Sequence, residues 1–143
     1  MILIDVNVLL YAHREDAADH PAYREWLEGV VNSEGAYGMS DLVLSGVIRI
    51  ATHPRIFDPP SSMRQVLAFV SEVRDRPNCV RVEPGQRHWS ILQRLCEGGG
   101  VKGNLVPDAY HAALAIESGS EWITTDRDFA RFRGLKWRHP FRS

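Results

Sequence analysis

The first ten residues are almost wholly apolar: Met1–Ile4, Val6 and Val8–Leu10, with only Asp5 and Asn7 breaking the run. Short and β-branched, residues 1–6 predict a buried strand. A polar stretch follows to Asp19. Beyond Pro21, residues Ala22, Trp26, Leu27 and Val30 recur at helical spacing, predicting a helix to about Val31. Ala36–Met39 is a short strand. Ser40 then caps a helix in which Leu44, Val47, Ile48 and Ala51 share one face. His53-Pro54 ends that helix, because a residue before proline avoids the helical region. After the loop Pro59–Ser62, the stripe Val66, Phe69, Val70 and Val73 marks another amphipathic helix.

Cys79–Glu83 reads as a strand, and Trp89, Leu92 and Leu95 as a helix stopping at Gly98-Gly99-Gly100. Residues 98–106 form a loop. Pro107 suits a first helical turn, and the helix through Tyr110, Ala113, Leu114 and Ile116 stops at Gly119. Trp122–Thr125 is a short strand. Asp126 caps a brief helix through Phe132, and Leu135–Arg138 is an edge strand. Strands alternating with helices predict an α/β fold with a mainly parallel sheet. At 143 residues, without repeats or a linker, one domain spanning 1–143 is expected.

Composition narrows the classes. Apolar residues make up 44% and charged residues 24%, which excludes a chiefly disordered or coiled-coil chain. The two cysteines, Cys79 and Cys96, have no zinc-ligand spacing, and free thiols point to a reducing compartment. Asp5 and Asn7 and the lack of a basic leader argue against a signal peptide. No apolar run is long enough for a membrane span, so a cytoplasmic location is expected. The net charge of −1 hides an asymmetry. Arg127, Arg131, Arg133, Lys136, Arg138 and Arg142 face only Asp128 within residues 127–143, while the rest of the chain is acidic. Such a tail suits a polyanion, or a partner-facing surface.

Asp5 is the residue most at odds with its surroundings. A carboxylate among Ile2, Leu3, Ile4 and Val6 needs compensation. Open parallel sheets bind ligands outside the carboxyl ends of their strands, where Asp5 falls. Asp126 also follows a strand, and Asp108 opens a helix. Each could be a turn or first-turn acid alone. Together they belong at one rim, where three carboxylates repel and their pKa values rise. A divalent cation such as Mg²⁺ relieves this, and Asn7 and Thr124 add neutral oxygens, with Asp128 nearby. Gly98-Gly99-Gly100 lacks the residues of a phosphate loop. His88 and His111 read as structural histidines rather than as a general base, and Trp26, Phe57 and Trp89 as core.

Four segments carry a resemblance: Met1–Ala12 (MILIDVNVLLYA), Ser40–Phe57 (SDLVLSGVIRIATHPRIF), Pro107–Ile116 (PDAYHAALAI) and Ile123–Phe129 (ITTDRDF). In this order and spacing the chain resembles PIN-domain ribonucleases of the VapC toxin type. The resemblance implies a three-layer α/β/α domain and an acidic cluster of Asp5, Asp108 and Asp126. It also implies Mg²⁺ or Mn²⁺ and endonucleolytic cleavage of RNA, leaving a 5′-phosphate. The expected partners are a VapB-type antitoxin and a second copy in a homodimer. The family's helix glutamate should fall near Gly46, where this chain has none; Asp41 or Asp128 would have to act in its place through water. Arg49, Arg55, Arg131 and Arg133 are candidates for flanking RNA phosphates, in a tRNA or ribosomal RNA loop. Two alternatives follow: a non-catalytic PIN-like binding module, favoured by Gly46, and a phosphoaspartyl phosphatase, disfavoured by Asn7 where a second aspartate is needed.

Overall fold

A computed structural model of the chain describes residues 1–142. Five parallel strands form one sheet: β1 (Ile2–Ile4), β2 (Tyr37–Met39), β3 (Cys79–Arg81), β4 (Glu121–Ile123) and β5 (Trp137–Arg138), in the order β3-β2-β1-β4-β5. Six helices complete it: α1 (Val6–His13), α2 (His20–Val31), α3 (Asp41–Ala51), α4 (Met63–Arg74), α5 (His88–Gly98) and α6 (Leu105–Ser118). They pack as two groups, α1 to α4 and α5 with α6, in keeping with a layer on each face of the sheet. β1 is central. The chain builds outward from it to β2 and β3, then returns to its other side with β4 and β5. The switch point of this α/β sheet therefore lies between β1 and β4.

The core is aliphatic and alanine-rich where α6 meets the sheet. Ala109, Ala112, Ala113 and Ala115 are all 0% exposed, so α6 lies close over Trp122 and Ile123. Local chemistry sets the element ends. Ser40 Oγ accepts from the Leu42 amide at 3.2 Å and starts α3. Ser62 and Gln65 form a reciprocal capping box at α4, at 3.1 and 3.0 Å. Gly119, at φ 66°, takes the left-handed turn that ends α6.

Several expectations need correction. The first strand stops at Ile4, and Val6–His13 is a helix rather than strand end plus polar stretch. A continuous apolar run suits a buried strand and a buried helix equally, so periodicity could not divide it. The third strand ends at Arg81 and the last contains only Trp137–Arg138. α6 begins at Leu105, two residues before Pro107, whose missing amide hydrogen is one of those a helix start leaves unpaired. On α5 the buried stripe is His88, Leu92 and Leu95, while Trp89 is 73% exposed, not core. Trp26 and Phe57 are partly buried against the core.

Candidate active site

The β1–β4 pairing builds the site. Ile4 stands opposite Ile123, and the Asp5 amide donates to the Ile123 carbonyl at 2.9 Å. The next residue on each chain is then a polar one, Asp5 beside Thr124. Both are buried, Asp5 at 7% and Thr124 at 0% exposure. Three donors hold the Asp5 carboxylate. The Val6 amide reaches Oδ1 at 2.7 Å, the Thr124 hydroxyl reaches Oδ2 at 2.7 Å, and the Asn7 side-chain amide reaches Oδ2 at 3.3 Å. Asp5 thereby caps α1 as well. Thr124 Oγ1 also accepts from the Asp126 amide at 3.0 Å, and Asn7 Oδ1 from the Thr125 amide at 3.5 Å. One hydroxyl thus ties the turn after β4 to the end of β1.

Asp126 caps the 3-10 turn Arg127–Arg131 by accepting from the Asp128 amide at 2.9 Å. Asp108 lies in the first turn of α6, half-buried. Charge links these groups. Burial pushes the Asp5 carboxyl up to about 6; Thr124 and Val6 oppose that rise, and the negative charges of Asp108 and Asp126 add to it. Asp108 is also raised to about 6, by burial first, then by Asp126 and Asp128, with Arg131 acting against them. Asp5, Asp108, Asp126 and Asp128 therefore share one electrostatic neighbourhood. Among the described residues, no three Asp, Glu, His or Cys side chains are gathered tightly enough to form one coordination set. Mg²⁺ commonly takes only one or two carboxylates, completing its shell with water and phosphate. An all-oxygen donor set in which Asp5 and Asp108 are held above their ordinary pKa is chemically matched to such a cation.

Asn7 and Thr124 turn their donors to Asp5, so their first task is to position it. Arg131 donates to the Asp128 carbonyl at 3.2 Å and acts on Asp108. Arg133 is exposed, and its carbonyl accepts from Arg94 at 3.3 Å. Arg49 is exposed in the last turn of α3, and Arg55 in the loop beyond; among the described residues neither forms an ion pair. The Asp41 carboxylate is engaged by Arg74 at 3.0 Å, which holds it below the usual range. Gly46 packs against α1: a Cβ there would meet Val6 Cγ2 at 3.0 Å. Arg94, which the sequence left unremarked, is brought to the basic tail only by its tertiary contact with the Arg133 carbonyl.

Two histidines settle into structural roles. His88 pairs with the Tyr110 carbonyl at 3.1 Å. His111, one turn beyond Asp108, stacks on Trp122 with ring centroids 5.4 Å apart and planes 16° off parallel. Both His111 Nδ1 and Trp122 Nε1 are buried without a partner. Burial pushes His111 down to about 4, so it is neutral.

A parallel α/β domain with acids at its central switch point defines a class. The PIN-domain family model matches residues 2–135, and the chain belongs to the PIN-domain family. Within it, the chain is 42% identical over 140 residues to ribonuclease VapC43 of Mycobacterium tuberculosis, covering 98% of this chain and 95% of that one. It is 38% identical to ribonuclease VapC25 of the same organism, over 98% and 99% of the two chains. Among solved structures it shares its fold with VapBC2 from Rickettsia felis bound to a promoter DNA fragment, at TM-score 0.69 and 17% identity over 97% and 98% of the chains. It also matches VapC20 of Mycobacterium tuberculosis, described as a sarcin-ricin loop cleaving toxin, at TM-score 0.65 and 15% identity over 95% and 99%.

Proposed function

We propose that this chain is a metal-dependent endoribonuclease, the toxin of a VapBC-type pair. The observation that carries the proposal is Asp5, held by three donors while burial, and after it the charges of Asp108 and Asp126, raise its pKa. The relatives' naming as VapC ribonucleases supports the same reading. Asp5, Asp108 and Asp126 would hold Mg²⁺ or Mn²⁺. Such a cation neutralises charge developing on a phosphodiester and lowers the pKa of water. The chain's own contribution is orientation. Thr124 and Asn7 occupy both acceptor sites of Asp5 Oδ2, and the Val6 amide takes one site of Oδ1, leaving the free lone pair on Oδ1. Arg131, with Arg133 and Arg49 farther out, supplies positive charge for flanking phosphates. Water adds across the bond from phosphorus to the 3′ oxygen, leaving a 5′-phosphate and a 3′-hydroxyl. The substrate is an RNA loop, of tRNA or ribosomal RNA, whose unstacked bases are open to recognition.

A VapB-type antitoxin is the proposed partner, with a homodimer as the assembly and residues 1–143 as one domain. No helix of the described chain is long and apolar enough to cross a membrane, and the cytoplasm is the proposed location. A second reading rests on Gly46. Because this position packs on Val6, α3 brings no glutamate to the rim, which favours a binding module that does not cut. Incubating purified, antitoxin-free protein with total RNA, with and without Mg²⁺, and mapping new 5′ ends decides between them. Discrete Mg²⁺-dependent ends that vanish in Asp5→Asn are expected. RNA retained intact but bound would favour the binding module.

A further inference from the structure

The last described residues carry chemistry that the acidic rim does not use. β5 ends where the Thr124 amide donates to the Arg138 carbonyl at 3.0 Å, so His139 leaves the sheet at the rim that holds Asp126. The chain then folds back onto α2. Phe141 lies 4.6 Å from the Tyr23 ring and 5.1 Å from the His139 ring, centroid to centroid. The Phe141 amide donates to His139 Nδ1 at 3.1 Å, and Tyr23 Oη lies 3.4 Å from His139 Nε2. Tyr23 is buried at 7%, whereas Phe141 stays 47% exposed. An aromatic ring fixed from below and open above is a poor way to finish a core. Burial first, then the positive charges of Arg142 and Arg127, hold His139 below the usual histidine range. Arg127 directly follows Asp126 in the chain.

We propose that Phe141, seated on Tyr23 and His139, is a stacking platform for an unpaired nucleobase of RNA, with Arg127 and Arg142 binding the adjoining phosphates. Flat rings flanked by arginines suit single-stranded nucleic acid, because every base has a π-face and every linkage a charge. The placement also gives the substrate a direction: the strand passes from the acids over Arg127 towards the C-terminal tail. This rests on the ribonuclease reading above and adds a subsite to it. An acidic protein segment would meet the same arginines, but it gains nothing particular from an open flat ring.

The test measures binding of a short, fluorescently labelled single-stranded RNA of mixed sequence to the full chain, with chelator present so that nothing is cut. Phe141→Ala is expected to weaken binding roughly tenfold, with the slope against salt unchanged. Phe141→Leu, apolar but not flat, should stay weak, and Phe141→Trp should recover the wild-type affinity. Arg127→Gln with Arg142→Gln should reduce the salt slope by about 1.4. Urea denaturation of each variant separates lost contacts from lost folding. A wild type that binds and cuts RNA, alongside folded Phe141→Ala and Phe141→Leu proteins that bind equally well, overturns the subsite alone. Variants that keep RNA but lose a VapB-type antitoxin assign the surface to protein and overturn it too. A wild type that neither binds nor cuts RNA overturns the subsite together with the ribonuclease reading.

Discussion

Two buried ionisable groups, Asp5 at the end of β1 and His111 on α6, are treated in opposite ways. Asp5 is surrounded by donors from Val6, Asn7 and Thr124, which suit its charged form even as burial and neighbouring acids resist it. His111 has no partner for Nδ1, and burial alone drives it neutral. Burial perturbs both, but only Asp5 is kept usable as an anion. A shifted pKa by itself therefore does not mark a functional group. Its hydrogen-bonding shell does, by showing which protonation state the fold has prepared for.

The strongest way to break this comparison is to neutralise Asp5. Asp5→Asn keeps the size and much of the hydrogen bonding but removes the charge. RNA cleavage should fall by about a thousandfold, comparable to losing a principal electrostatic group, while circular dichroism and the melting transition persist. Cleavage rates within tenfold of wild type would reduce Asp5 to a helix cap.

Stability against pH separates the two groups next. Asp5 is raised, so its contribution is fully present below its ordinary value of 3.8 and is lost as pH rises through about 6. Asp108 acts in the same sense. His111 is lowered, so its contribution is present above 6.5 and is lost as pH falls through about 4. The slopes oppose one another over the same interval. In chelator, urea denaturation between pH 4 and 7 should show Asp5→Asn gaining on wild type as pH rises, by up to roughly 3 kcal/mol. Added Mn²⁺ should close that gap from the wild-type side. A difference that does not vary with pH would remove the charge from Asp5's account.

A smaller effect sharpens the other half. His111→Phe keeps a ring against Trp122 and deletes an unpartnered nitrogen. At pH 7 its stability should equal wild type or exceed it by about 1 kcal/mol, with cleavage unchanged. Lost cleavage in a stable variant would give His111 a role that its surroundings do not suggest. Smallest of all is Gly46→Ala. Helix propensity favours alanine by up to ~1 kcal/mol, and crowding on the stiff Val6 side chain offsets it. Stability should move by less than about 1 kcal/mol, whereas cleavage should drop a few-fold as the Val6 amide shifts against Asp5. Unchanged cleavage would show that the shell tolerates that displacement.

Much of the fold was legible because each element carried its own punctuation. Ser40, Pro54, Ser62 and Gly119 stand where caps and breaks are required, and the alternation of strand and helix made a parallel sheet the natural answer. α1 was not legible, since Ile2–Leu10 is apolar apart from Asp5 and Asn7 and suits a buried strand and a buried helix equally. Nor was the α5 face, where reading the stripe from Trp89 instead of His88 placed an exposed tryptophan inside. Asp5, Asp108 and Asp126 could be read as a rim because strand ends and helix starts predict where they fall. The hub at Thr124 was less visible. Its two partners, Asp5 and the Asp126 amide, show only when β4 is laid against β1. The platform around Phe141 left no pattern at all, because Tyr23 and Phe141 are far apart in sequence.

The β1–β4 pairing has a consequence in time as well as space. Asp5 is made well before Thr124, which follows it by 119 residues, and before Asp126. Contacts across so long a loop are costly to close and form late. A nascent or prematurely ended chain that stops before β4 holds α1 to α6, Asp5 and Asp108, yet neither the hydroxyl that orients Asp5 nor the carboxylate of Asp126. Under the ribonuclease reading, the growing polypeptide therefore cannot cut RNA until β4 slots in beside β1.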